Sequence, residues 1–88
     1  MTRTRVVVQG RVQGVFFRDS VRRRAREAGV AGWIRNRDDG AVEAVFEGDT
    51  AAVAALVDYC RTGPPGAQVE SVQADQEEPA GEHGFAVR

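Results

Sequence analysis

The sequence predicts an α+β sandwich, with two helices lying on one face of a mostly antiparallel sheet. Three observations carry that expectation. Strand-like and helix-like patterning follow one another in the order β-α-β-β-α-β, with a short further β segment at the end. A glycine-punctuated stretch joins the first strand to the first helix, and Asp38-Asp39-Gly40 joins the middle two strands. The 88 residues make one domain, 1–88, near the lower limit for an unaided core.

Each element has its own reason. Arg5 to Gly10 is rich in valine, as suits a strand inside a sheet. Phe17 to Ala28 reads as a helix, with Val21, Ala25 and Ala28 at helical spacing and charge on the other face. Asp19–Arg23 and Arg23–Glu27 are opposite charges four residues apart, and Gly29 stands where a helix ends. Gly32 to Arg37 and Ala41 to Glu47 are the two strands of the hairpin, and in the second Val42, Ala44 and Phe46 alternate with Glu43, Val45 and Glu47. Asp49 caps a second helix, Thr50 to Arg61, whose buried stripe is Val53, Leu56, Val57 and Cys60. Gly63-Pro64-Pro65-Gly66 stops it. Ala67 to Asp75 is a strand, Gln76 to Gly84 reads as a flexible acidic loop, and Phe85 to Val87 is a short last strand. This order is the ferredoxin-like plan, which by itself assigns no function.

Composition excludes several chemistries. The chain has no lysine, so a P-loop lysine, a Schiff-base lysine and a Ser–Lys pair are impossible within it. No long apolar run is present to form a transmembrane helix or a signal peptide. The single cysteine, Cys60, cannot close an intramolecular disulfide, which fits a cytoplasmic protein. A net charge of −1 gives no global case for nucleic acid or membrane binding, and a monomer is the default. His83 is the one histidine and reads as a solvated loop residue, so no ligand cluster for a transition metal is legible. Asp38 and Asp39 read as a turn pair rather than a magnesium site. Cys60 reads as a core thiol and Trp33 as a packing residue. Arg22, Arg23, Arg24 and Arg26 read as a solvated helix face that adds attraction for anions.

The richest stretch is Gly10-Arg11-Val12-Gln13-Gly14-Val15-Phe16-Phe17-Arg18. A glycine turn between a strand and a helix gathers main-chain N–H groups into one small space, and the helix N-terminus adds its positive dipole end. Arg18 sits at the wrong end of that dipole for a cation, a local conflict that Asp19 partly offsets. Such conflicts concentrate at functional sites. By spacing alone two readings stay open: an anion site, or a surface arginine that tolerates a small penalty.

The wording of this stretch is more specific than its spacing. Val12-Gln13-Gly14-Val15-Phe16-Phe17-Arg18 resembles the signature of the acylphosphatases, and the block from Gly32-Trp33-Ile34-Arg35-Asn36 through Gly40 to Gly48 resembles the family's second signature. Ile34 is larger than the residue that the family pattern usually has there, a change expected to shift only local packing. The resemblance covers nearly all of the chain and is least distinctive from Ala67 onward.

The resemblance implies hydrolysis of an acyl phosphate to a carboxylate and inorganic phosphate, without metal or organic cofactor. The amides of Gln13, Gly14, Val15, Phe16, Phe17 and Arg18 would hold the phosphoryl oxygens, with Gly14 permitting the turn and the apolar side chains of Val15, Phe16 and Phe17 anchored beneath. Arg18 would bind two of those oxygens at once, and Asn36 would orient the attacking water. Without the family pattern, the simpler reading of Asn36 is a residue that bonds its own hairpin. The other readings are a non-catalytic phosphate- or anion-binding module, or an accessory domain. RNA binding is disfavoured, since sheet-borne aromatics are few.

Overall fold

A computed structural model describes residues 1–88. The elements run β1 (Thr2–Arg11), α1 (Phe17–Glu27), β2 (Ala31–Asn36), β3 (Val42–Gly48), α2 (Thr50–Cys60), β4 (Gln68–Glu77) and β5 (Phe85–Val87). The five strands form one sheet in the order β4-β1-β3-β2-β5, antiparallel throughout except for the β2–β5 pair. Both helices cover the same face, and the expected sandwich is the observed one.

Period-two alternation decides what faces the helices. Val6 and Val8 from β1, Ile34 from β2, Val42, Ala44 and Phe46 from β3, and Phe85 from β5 point into the core. Phe17, Val21 and Ala25 of α1 and Val53, Leu56 and Cys60 of α2 meet them there. Phe46 and Phe85 stack with ring centroids 5.7 Å apart. Burial pushes the Cys60 thiol up to about 12, so it stays protonated in the core.

The helix ends follow local rules. The Asp49 carboxylate accepts the Ala52 N–H at 3.2 Å and caps α2. At the end of α1 the Gly29 N–H reaches the Arg26 carbonyl and the Val30 N–H reaches the Ala25 carbonyl, which closes the last turn. Ala28 is therefore the cap of α1 and is exposed, not the last member of its apolar stripe.

The face without helices differs most from expectation. Glu43 and Glu47 are buried there, 5 % and 3 % exposed, whereas carboxylates ordinarily stay in water. Arginine explains it. Arg5 and Arg35 bond Glu43, while Arg3 bonds Glu47, Glu77 and Glu82 at 3.0–3.1 Å. The Arg5 and Arg88 guanidinium groups flank Trp33, 5.7 and 4.7 Å from its ring centre. These charges roof the sheet in place of a third layer, and they lengthen β1 and β4 beyond their apolar runs.

The segment expected as a loose acidic loop is also tied down. Gln76 and Glu77 finish β4, and the amides of Ala80, Gly81 and Glu82 grip the Glu47 carboxylate at 2.8–3.0 Å. The Ala80 amide first, then Arg3 and the other two amides, hold that carboxyl down at about 2. Burial opposes the charge of Glu43, yet Arg35 and Arg5 prevail and lower its pKa.

Of the four arginines expected on a solvated helix face, Arg22 pairs with Asp19, the Arg24 guanidinium lies 3.9 Å from the Tyr59 ring centre, and Arg26 donates to the Phe85 carbonyl. Arg23 sits 3.8 Å from Asp19, while Arg23 and Glu27 form no ion pair. No helix is long and apolar enough to cross a membrane.

Candidate functional site

The connection from β1 to α1 leaves a run of donors unused. From Gln13 through Asp19, no main-chain N–H donates to an acceptor in the protein. These amides belong to the loop and to the first turn of α1, where a helix has no partners of its own to offer.

Two left-handed residues give the loop its curl. Gly14 has φ +75°, and a Cβ built there would meet nothing within 4 Å. Glycine is therefore needed for the angle and not for space. Phe16 has φ 60° and ψ 25° and is the one non-glycine residue of the chain with positive φ. A side chain in that conformation costs roughly 1–2 kcal/mol. Its carbonyl accepts the first helical bond, from the Ser20 N–H at 3.0 Å.

The anchors beneath the loop are Phe17 and Val12, 2 % and 1 % exposed. Gly63 lies against Phe17, and a Cβ there would come within 2.6 Å of the ring, so the loop after α2 must be bare at this point. Val15 is partly buried against the same core. Phe16 was expected among these anchors and is not one: it is 83 % exposed. The left-handed turn at Phe16 sends consecutive side chains to opposite sides, and the core takes Phe17.

Gln13 contributes its side chain in a way the sequence did not suggest. Its Nε2 donates to the Arg37 carbonyl at 2.8 Å and to the Ala41 carbonyl at 3.0 Å. Those carbonyls belong to the turn after β2, so Gln13 ties the loop to the hairpin that carries Asn36. The Asp38-Asp39-Gly40 turn is itself fixed by the Asp39 carboxylate, which accepts the Ala41 N–H at 3.1 Å and pairs with Arg37 at 3.0 Å.

A cavity of about 350 Å³ opens at this place, and Gly14, Phe16, Phe17, Arg18 and Asn36 all line it. Arg18 forms no ion pair, because Asp19 beside it is taken by Arg22 and Arg23. Its Nη1 only approaches the main-chain oxygen of Arg88, at 3.4 Å. Asn36 Oδ1 is buried without a hydrogen-bond partner, the one such side-chain atom in the protein. An unsatisfied buried acceptor costs on the order of 1–3 kcal/mol and calls for an explanation. The hairpin-bonding reading of Asn36 therefore does not describe its Oδ1.

Asp19, Arg22 and Val87 also line the cavity. Arg22 lies one helical turn beyond Arg18, a spacing that could have placed it on the same face. Nothing local could have placed Val87, which arrives through the parallel pairing of β5 with β2. His83 is exposed and away from the cavity. No three His, Cys, Asp or Glu side chains come together as a metal-ligating group.

The chain as a whole is similar to known proteins. The family model for acylphosphatase matches residues 4–87. An acylphosphatase of Rubrobacter xylanophilus is 61 % identical over 88 residues, covering 98 % of this chain and 79 % of its relative. The crystal structure of acylphosphatase from Bacillus subtilis superposes with a TM-score of 0.95 at 37 % identity, covering 100 % of this chain and 99 % of the other. An acylphosphatase structure from Coxiella burnetii gives a TM-score of 0.94 at 39 % identity, covering 99 % and 92 %.

Proposed function

The chain belongs to the acylphosphatase family, and from that premise we propose that it hydrolyses acyl phosphates at the cavity between the β1–α1 loop and Asn36. The observation that carries this reading is the run of unspent amides from Gln13 through Arg18 beside a cavity lined by Gly14, Phe16, Phe17, Arg18 and Asn36, whose Oδ1 has no partner.

The phosphoryl oxygens take the amide hydrogens of Gln13, Gly14, Val15, Phe16, Phe17 and Arg18. These donors are set by Gly14, by the buried Phe17 and by the Gln13 tie, so little reorganises as charge develops. The Arg18 guanidinium, free of carboxylate partners, spans two of the oxygens. Asn36 orients water on the side opposite the acyl oxygen. Its carbonyl accepts one water hydrogen, and a half-turn of the amide exchanges oxygen and nitrogen without moving the backbone.

The water oxygen bonds to phosphorus while the bond from phosphorus to the acyl oxygen breaks. That bonding pair leaves with the carboxylate. The loose transition state of such a transfer demands little early proton removal, and a phosphoryl oxygen takes the water proton. Asn36 therefore positions and need not act as a base.

Replacing Asn36 with alanine should lower kcat on benzoyl phosphate by roughly a hundredfold or more, the scale of one lost transition-state contact. Inorganic phosphate should still bind as a competitive inhibitor. A variant that turns over at the wild-type rate would remove Asn36 from the mechanism. Wild-type protein that binds phosphate without turnover would identify a non-catalytic anion-binding module instead.

A further inference from the structure

We propose that Phe16, together with Val87, forms an apolar rim that selects acyl phosphates with an aromatic or bulky apolar acyl group. The inference deepens the acyl phosphate reading and rests on it.

Two independent observations meet at Phe16. The first is exposure. Only Met1, Phe16 and Val87 are large apolar side chains left exposed, at 83 %, 83 % and 39 %. Phe16 and Val87 both line the cavity of Arg18 and Asn36. The second is strain. Phe16 holds a left-handed conformation that glycine or asparagine would adopt at less cost. An aromatic ring kept in a strained backbone and left in solvent contributes nothing to the core. Both costs find a reason if the ring acts on a ligand.

The chemistry of the site says which part of the ligand. The amides and Arg18 address the phosphoryl group. In-line attack drives the acyl oxygen away from the water, so the acyl group must extend out of the amide cradle. Apolar surface at the mouth suits a hydrocarbon or aromatic group, and ring-on-ring contact adds to simple burial. An anionic acyl group finds weaker recognition, because Arg22 is already paired with Asp19.

The test compares benzoyl phosphate with acetyl phosphate as a ratio of kcat/KM. Any distortion of the cradle lowers both rates and largely cancels in the ratio. Phe16→Ala should lower the benzoyl-to-acetyl ratio about tenfold, and Phe16→Leu should restore most of it. Val87→Ser should lower the ratio by a smaller factor, about threefold. The loss should appear mainly in KM for benzoyl phosphate. A ratio that stays within twofold of wild type in both Phe16→Ala and Val87→Ser would overturn the rim while leaving the hydrolase reading intact. Wild-type protein that hydrolyses neither substrate would overturn the hydrolase reading, and the rim with it.

Discussion

The chain builds one filled anion cradle and, on the reading proposed above, a second from the same kinds of part, and they differ in who supplies the anion. At one, the amides of Ala80, Gly81 and Glu82 and the Arg3 guanidinium close on the carboxylate of Glu47. At the other, the amides of Gln13 through Arg18 go unspent beside a cavity lined by Gly14, Phe16, Phe17 and Arg18, and no side chain of the protein accepts from them. The first cradle is filled by a group already attached to the chain, so no translational freedom is lost, and its donors contribute to stability. The second keeps its donors unpaired, which on the proposed reading leaves them for a phosphoryl group. Glu47 shows what such an arrangement does to charge, since its carboxyl is held at about 2 against an ordinary 4.5. A dianion in the outer cradle would meet donors of the same kind.

The widest separation should come from exchanging the arginines. Arg18→Ala should lower kcat/KM on benzoyl phosphate by roughly a hundredfold or more while leaving the urea midpoint close to wild type. Arg3→Ala should do the reverse. It leaves Glu47 facing Glu77 and Glu82 without their shared cation, and the loss should be on the order of 3 kcal/mol in urea unfolding, with activity per folded molecule retained. If both variants lose stability alike, or both lose activity alike, the division between the cradles fails.

Acid should probe the inner cradle next. A carboxyl whose folded pKa lies below its unfolded value stabilises the fold fully above the unfolded value. That contribution fades as pH falls through the folded value. For Glu47 the window runs from about 4.5 down to about 2. Glu43 and Glu77 are shifted in the same direction and add to the slope. Thermal midpoints should therefore drop steeply across this window. Glu47→Gln should lower the midpoint at neutral pH and flatten the acid slope; an unchanged slope would show that the carboxylate is not gripped as described.

The smallest effect should come from filling the outer cradle. Inorganic phosphate at about ten times its dissociation constant should raise stability by about 1.4 kcal/mol, a thermal shift of several degrees for a domain of this size. Arg18→Ala should abolish most of that shift, and Arg3→Ala should keep it. Equal shifts in both variants would mean that phosphate binds elsewhere.

What the sequence by itself determined lies within a few residues along the chain. The glycine turn before α1, the Asp38-Asp39-Gly40 hairpin, the Asp49 cap, the Gly29 stop and the apolar stripe of α2 are local choices, because φ preference, capping and period act over one turn or one hairpin. The motif containing Gln13 through Arg18 was legible for the same reason. The tertiary structure decided what meets across the sheet. Pairing β3 between β1 and β2 carries Asn36 to the cavity of Arg18, and the parallel β5 brings Val87 to its rim. The fold also turned Phe16 outward while Phe17 filled the core, and it buried Glu43 and Glu47 beneath arginines from distant strands. The burial of a charge depends on partners far away in sequence, and alternation along one strand contains no information about them.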